Sequence, residues 1–149
     1  MKKQDIKNWK LVEVIDKINI IADDSSDYFD DLVKKLSIPI INHTTINRTH
    51  THINWQKMPG YFKFFLDGEV EENENESAFR NSALSEKENL IILYGWKEPA
   101  VLLPTKMFVE DREDFIASTQ WEAIMFSEDF ELIMEVSRDY HLHSNFKVK

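Results

Sequence analysis

The sequence predicts one α+β domain over residues 1–149, with an antiparallel sheet of about five to six strands and roughly two to four helices packed mainly on one face. Three observations lead to this prediction. A chain of 149 residues is long enough to close one hydrophobic core. Hydrophobic residues make up 42% of the chain and aromatic residues 12%, which is typical of a packed domain. Short apolar segments of strand length stand beside helical segments, and no strand–helix–strand unit repeats.

The N-terminal third contains one well-marked helix. Residues 9–15 alternate loosely and fit either a strand or a short helix, so both alternatives stay open. Asp24-Ser25-Ser26 offers an N-cap, and apolar residues then recur at helical spacing until Leu36, shortly before Pro39. This pattern predicts a helix that ends near Leu36.

The middle of the chain is predicted to hold a strand, a short helix and a long loop. Residues 40–55 are rich in Thr, Ile, Asn and His, and their alternation predicts a half-exposed strand with histidines on its polar face. Pro59 fits the first turn of a short helix over residues 60–66. Residues 69–88 lack an apolar period, so we expect a polar loop with one helical turn around residues 78–84.

The C-terminal half has the clearest pattern. Two apolar segments, residues 90–94 and 100–103, flank a short connection and predict an antiparallel hairpin. A helix is predicted from Pro104-Thr105 to about residue 117, with its acidic residues facing outward. Three further strands are predicted at residues 122–126, 131–137 and 140–146.

Charge and composition exclude several classes of function. The net charge is −9, from 27 acidic and 18 basic residues, and no basic face is visible that would bind nucleic acid. The chain has no cysteine, which excludes disulfides, thiolate metal sites and a cysteine nucleophile. No apolar run resembles a signal peptide or a membrane span, so we expect a cytoplasmic protein with no membrane partner.

The acidic residues fall in three runs, which indicate a surface for a basic partner. The runs cover residues 23–31, 67–76 and 110–114. We expect the second run to bind the partner because it lies in the longest predicted loop, where it steers a basic protein toward the surface. Tyr61 and Trp96 are the candidate aromatic contacts. The predicted partner-binding carboxylates are Asp67, Glu69, Glu71, Glu72, Glu74 and Glu76. The simpler alternative is a solvated loop that keeps the protein soluble.

The five histidines are confined to two segments of the chain. His43, His50 and His52 lie in one segment, and His141 and His143 in the other. On a strand, each His-x-His pair places two imidazoles on one face, and two adjacent strands then offer nitrogen ligands for Zn²⁺ or another divalent metal. His50, His52, His141 and His143 are therefore the candidate metal ligands of an alternative reading. Ordinary solvent-facing histidines explain the same alternation.

Motifs for catalysis are missing from the sequence. It has no Gly-x-Ser-x-Gly turn and no glycine-rich phosphate loop. Asp129 with Glu135-Val136-Ser137 is similar to the acid–strand–acid arrangement of restriction-type nucleases, but Ser137 stands where those enzymes need a lysine. We therefore expect no catalytic residues and no resident cofactor, with a metal-dependent hydrolase as the alternative function.

The stretch Met58-Pro59-Gly60-Tyr61-Phe62-Lys63-Phe64-Phe65-Leu66-Asp67-Gly68 resembles the Pro-x-x-Tyr-x-x-Phe-Leu helix entry of SMI1/KNR4-type immunity proteins. The later order of hairpin, helix and hairpin is also similar to small bacterial immunity proteins, and the likeness covers about half the chain. The family's second glycine after the helix entry is missing. The resemblance implies a protein that binds and neutralises a cognate bacterial toxin without catalysis, and the acidic charge fits a basic toxin domain.

Overall fold

A computed structural model describes residues 6–42, 50–66, 72–95, 97–119, 123–137, 139 and 141–148; of residues 65 and 72–75 it describes the backbone only. In these ranges every strand belongs to one antiparallel sheet of seven strands, in the order β1-β4-β3-β5-β6-β7-β2. The strands are β1 (Asn19–Ala22), β2 (Phe62–Phe65), β3 (Asn89–Leu93), β4 (Ala100–Pro104), β5 (Ile124–Ser127), β6 (Ile133–Val136) and β7 (His141–Ser144). The α+β class and the antiparallel sheet are confirmed. The predicted five to six strands were too few, because β1 and β2 were not recognised as strands.

Five α-helices lie in the described ranges: α1 (Trp9–Glu13), α2 (Ser25–Leu36), α3 (Glu72–Arg80), α4 (Thr105–Glu110) and α5 (Arg112–Ser118). The predicted two to four helices were too few for two reasons. α3 lies in the segment that was expected to be a loop, and the helix predicted from residue 105 divides into α4 and α5. The division falls at Asp111, where the backbone leaves helical geometry with φ −115° and ψ 28°.

Both faces of the sheet are buried under apolar side chains. Helices α1, α3, α4 and α5 cover what we call the first face, where Leu11, Phe79 and Phe108 are fully buried. Helix α2 and the segment 50–61 cover the second face around Trp55. Because successive strand residues point to opposite faces, the uninterrupted apolar sequence of β3 supplies both cores. None of the helices in the described part of the chain has the length and apolar character that a bilayer span requires.

The structure decides the open question at residues 9–15 in favour of a helix. The side chain of Asn8 accepts hydrogen bonds from the amides of Lys10 and Leu11 and so caps α1. Helix α2 begins and ends as predicted: Asp24 caps its first turn, and Ser37 ends it in the left-handed conformation with φ 53°.

Two further local predictions in the middle of the chain were wrong. The described part of residues 40–55 forms only an isolated bridge between Ile40 and Ile53, followed by a 3-10 turn over Trp55–Lys57; residues 43–49, and with them His43, lie outside the described residues. The expected helix over 60–66 is strand β2, which pairs with β7. Gly60 allows the entry to β2, since its φ is 69° and a Cβ there would lie 3.2 Å from the carbonyl oxygen of Asn145.

A buried ion-pair cluster attaches α1 to α5 on the first face. The ammonium group of Lys10 lies 3.0 Å from a carboxylate oxygen of Glu13 and 3.1 Å from one of Asp111, with Asp114 at 3.8 Å. It also lies 5.0 Å above the ring of Phe115. Burial by itself lowers the pKa of Lys10, but the hydrogen bonds to Glu13 and Asp111 outweigh this and raise it, so the lysine is charged. The three carboxylates remain at least half exposed, which leaves them accessible from solvent.

Candidate functional site

Two adjacent strands carry polar side chains into the buried second face. Glu135 on β6 lies directly opposite His143 on β7, and both are fully buried. Residues that face each other in an antiparallel pair point to the same side of the sheet. On the other side of β7, Lys63 of β2 lies opposite His143. The sheet register therefore gathers an acid, an imidazole and an ammonium group in one row.

The carboxylate of Glu135 accepts hydrogen bonds from four donors. Its Oε1 accepts from the amide of Ile53 at 3.0 Å and from the indole nitrogen of Trp55 at 3.1 Å. Its Oε2 accepts from the amide of His52 at 2.8 Å and lies 3.0 Å from Nδ1 of the same residue. A carboxylate offers about four acceptor positions, so these donors saturate it. The buried anion is thereby compensated, and the segment 50–57 is fixed to the sheet.

His143 joins a second chain of hydrogen bonds. Its Nδ1 lies 2.8 Å from the hydroxyl of Tyr61, and its Nε2 lies 3.0 Å from the hydroxyl of Ser137. The hydroxyl of Ser137 in turn donates to Asp139. The rings of Trp55, Tyr61 and His143 are grouped together, with centroids 5.7 to 6.2 Å apart.

The electrostatic surroundings keep His143 neutral. Burial, together with the nearby ammonium group of Lys63, lowers the pKa of His143 to about 4. Burial raises the pKa of Tyr61, so its hydroxyl stays protonated and donates to Nδ1 of His143. The hydrogen bond from Ser137 lowers the pKa of Asp139 to about 2, and this acid is therefore ionised.

These proton positions argue against a nucleophilic serine. When the single hydroxyl proton of Ser137 is assigned to its bond with Asp139, Nε2 of His143 is the donor of the bond that it shares with Ser137. In a Ser–His catalytic pair the serine donates to the imidazole instead. Ser137 and His143 are also buried, so a substrate carbonyl has no direct access to them. The arrangement holds Tyr61, β7 and the turn after β6 together.

The structure brings some of the sequence-predicted histidines together and separates others. We call the hydrogen-bonded groups around Glu135 and His143 the polar cluster. His52 and His143 both belong to it, and Nδ1 of His141 lies 3.1 Å from Asp139 at its edge. His50 is exposed with φ 56°, so the expected His50–His52 strand pair does not form. Among the described residues, no three side chains of His, Asp and Glu converge in a group that would hold a metal ion.

The predicted partner-binding residues are distributed differently from the expectation. Asp67, Glu69, Glu71 and Trp96 lie outside the described residues. Glu72, Glu74 and Glu76 lie on α3 rather than in a loop. Tyr61 precedes β2 on the second face, where its hydroxyl bonds to His143.

Arg80 brings two of the acidic runs together on the first face. Its guanidinium lies 3.0 Å from a carboxylate oxygen of Glu76 on α3 and 3.8 Å from one of Glu110 on α4. Because α3 packs on α4, α4 on α5 and α5 on α1, these four helices lie on the same side of the sheet. We call this group the acidic helical surface: Glu13, Glu76, Glu110, Asp111, Glu113 and Asp114.

Glu135 is the most consequential residue whose role the sequence analysis missed. The available signal was one acidic residue inside the apolar strand Ile133–Val136. A buried carboxylate is costly unless donors surround it, so such a position indicates buried donors elsewhere in the chain. Those donors lie 80 to 83 positions earlier, where no spacing rule identifies them.

No family model matches the sequence, and no curated protein is significantly similar to it. The resemblance to SMI1/KNR4-type proteins therefore stays a prediction. The stretch that carries it runs from a 3-10 turn into strand β2 and not into a helix.

The saturated carboxylate of Glu135 leads to a first prediction. Glu135→Gln replaces one acceptor oxygen by an NH₂ group that faces other donors, so the free energy of unfolding should fall by about 2–4 kcal/mol. Urea denaturation measures this. The matched control is Glu128→Gln in the exposed turn after β5, which should change stability by less than about 0.5 kcal/mol. Equal stability of the two variants would contradict the role given to Glu135.

The depressed pKa of His143 leads to a second prediction, on pH dependence. The ordinary pKa of histidine is 6.5 and that of His143 in the folded protein is about 4, so between these values the unfolded chain binds the proton more readily. His143 therefore makes the folded protein progressively less stable as the pH falls from about 6.5 to about 4. Urea unfolding across this range should show a steeper pH dependence for the wild type than for His143→Gln, and parallel curves would contradict it.

Proposed function

We propose that the protein is a protein-binding module, an immunity-type protein that neutralises a cognate bacterial toxin by covering a basic surface of it. The observation that supports this best is the meeting of two acidic runs at Arg80, since Glu76 and Glu110 both lie within 4 Å of its guanidinium. Residues more than thirty positions apart in the sequence thus contribute to one charged surface.

The charge on the acidic helical surface is only partly balanced from within. Lys10 is buried beneath the acids of α1 and α5, and the side chain of Arg112 is turned inward, where it donates to the carbonyl of Val109. Arg80 and Lys106 are the exposed basic residues of α3, α4 and α5 in the described ranges. Crowded carboxylates repel one another, and a basic partner relieves this repulsion on binding. The same field accelerates the encounter with such a partner.

The polar cluster on the second face fits a structural role better than a catalytic one. The carboxylate of Glu135 is saturated with hydrogen-bond donors, and the imidazole of His143 is neutral. The hydroxyl of Ser137 donates to Asp139 and not to His143. This supports binding rather than hydrolysis as the function.

A divalent metal site is the second proposal, with His52, His141 and His143 as the candidate ligands. His52 contacts Glu135, whereas His143 is linked through Ser137 to Asp139, which also lies beside His141. Because these described side chains do not converge as they stand, binding one ion would require them to move together. Zn²⁺ binding there requires ring nitrogens to be released from their present hydrogen bonds. Elemental analysis of protein purified without a His-tag tests it. About one equivalent of zinc would support a metal function, and protein free of metal after purification with added zinc would contradict it.

The proposed toxin neutralisation gives a prediction about association rates. Cross-linking in the cells that produce the protein should capture a basic protein, and surface plasmon resonance then measures its association with the purified chain. The double variant Glu110→Gln/Glu113→Gln should lower the association rate constant about two- to tenfold at low salt and leave a smaller effect at high salt.

The matched control changes the same number of charges on the opposite side of the sheet. Asp30 and Asp31 are exposed on α2, so Asp30→Asn/Asp31→Asn should leave the association rate nearly unchanged. The proposal would be contradicted if cross-linking captured no basic protein. It would also be contradicted if both double variants changed the association rate of the captured protein equally.

A further inference from the structure

The outer side of α1 presents an exposed apolar pair. Trp9 is 55% exposed and Val12 is 51% exposed, and Trp9 is the most exposed of the large hydrophobic side chains in the described ranges. Residues three positions apart on a helix lie side by side, so the two form one apolar spot. Single exposed hydrophobic residues are ordinary in soluble proteins. An exposed tryptophan beside an exposed valine on one side of a helix is less ordinary. The groups around this pair indicate which kind of partner it would bind.

Helix α1 is held firmly from its inner side. Leu11 is fully buried in the core of the first face, and Lys10 is enclosed by the carboxylates of Glu13, Asp111 and Asp114. The side-chain amide of Asn8 donates to the carbonyl of Ser118 at 2.7 Å and so links the start of α1 to the end of α5. The backbone that carries Trp9 and Val12 is therefore positioned before any partner arrives, which lowers the entropy cost of binding.

The apolar spot adjoins the acidic helical surface. Glu13 follows Val12 directly in the sequence, and through Lys10 it shares an ion-pair cluster with Asp111 and Asp114. An aromatic side chain bordered by charged groups is the usual composition of a protein interface, with the aromatic residue supplying much of the binding energy.

We propose that Trp9 and Val12 are the apolar contact of a docking surface for a basic polypeptide, with the acidic helical surface as its charged border. This deepens the proposed toxin neutralisation and rests on it. Charge selects the occupant. Lysine and arginine pair with the carboxylates and also bind favourably to the face of an indole ring. A second copy of this chain, with a net charge of −9, would bring carboxylates against carboxylates, and an anionic membrane surface would be repelled likewise.

The test uses two synthetic peptides of equal charge as probes. One is a fluorescein-labelled amphipathic helical peptide made of lysine and leucine. The other is a fluorescein-labelled oligolysine with the same number of lysines. Fluorescence anisotropy at low salt should show tighter binding of the lysine–leucine peptide to the wild-type protein. Trp9→Ala should lower the affinity for the lysine–leucine peptide about tenfold and change the affinity for oligolysine less than twofold.

A matched control distinguishes binding at the apolar spot from non-specific hydrophobic binding. Phe62 is 42% exposed on β2, the edge strand farthest from β1, and Phe62→Ala should leave both affinities unchanged. If Trp9→Ala does not fold by circular dichroism, Val12→Ser takes its place, with a loss of about threefold expected for the lysine–leucine peptide.

The outcomes distinguish the two proposals. If neither peptide binds the wild type, the acidic surface and the apolar contact both fail. If both peptides bind and neither Trp9→Ala nor Val12→Ser affects the lysine–leucine peptide, the apolar contact fails while the acidic surface stands. A wild-type dimer in sedimentation velocity that Trp9→Ala dissociates would identify a second copy as the occupant and overturn this inference.

Discussion

The buried carboxylate of Glu135 determines how the second face of the sheet is covered. The segment 50–57 has almost no regular backbone pairing of its own in its described part, since one isolated bridge and one 3-10 turn are all that it forms. Glu135 supplies the missing partners by accepting from two successive amides and from an indole nitrogen. This fixes Trp55 in the core, and Trp55 in turn packs against the rings of Tyr61 and His143. The placement of the segment 50–57 and of Trp55 thus follows from one saturated carboxylate.

The first face contains a buried charge of the opposite sign, with a different consequence. Glu135 is enclosed by donors and has no remaining capacity to bind. Lys10 is enclosed by carboxylates that stay at least half exposed, so each of them still offers oxygen atoms to solvent or to a partner. The hydrogen-bonding positions of Glu135 are thus all used within the second face, whereas the carboxylates around Lys10 on the first face keep free positions. This difference supports the assignment of structure to the histidine-rich side and of binding to the acidic side.

The elements that the sequence predicted correctly are those with local signals. The hairpin of β3 and β4 follows from two apolar runs around a short connection, and α2 follows from the Asp24 cap and its apolar stripe. Strand β2 was mistaken for a helix because its pairing partner, β7, lies far along the chain and a short aromatic segment fits either structure. Helix α3 was missed because its first half is polar and Asn-rich, with little apolar period to recognise. The histidine cluster and the meeting of the acidic runs at Arg80 are products of the sheet order and helix packing, which no local pattern encodes.

We propose that the acidic helical surface and α1 form the binding face, while the cluster around Glu135 supports the fold. Hydrogen-exchange mass spectrometry of the protein, alone and in complex with its captured basic partner, tests this claim most directly. We expect amides of α1, α4 and α5 to exchange more slowly in the complex and those of residues 50–61 to be unchanged. Protection confined to residues 50–61 and β7 would contradict the account and would place the binding site at the histidine cluster.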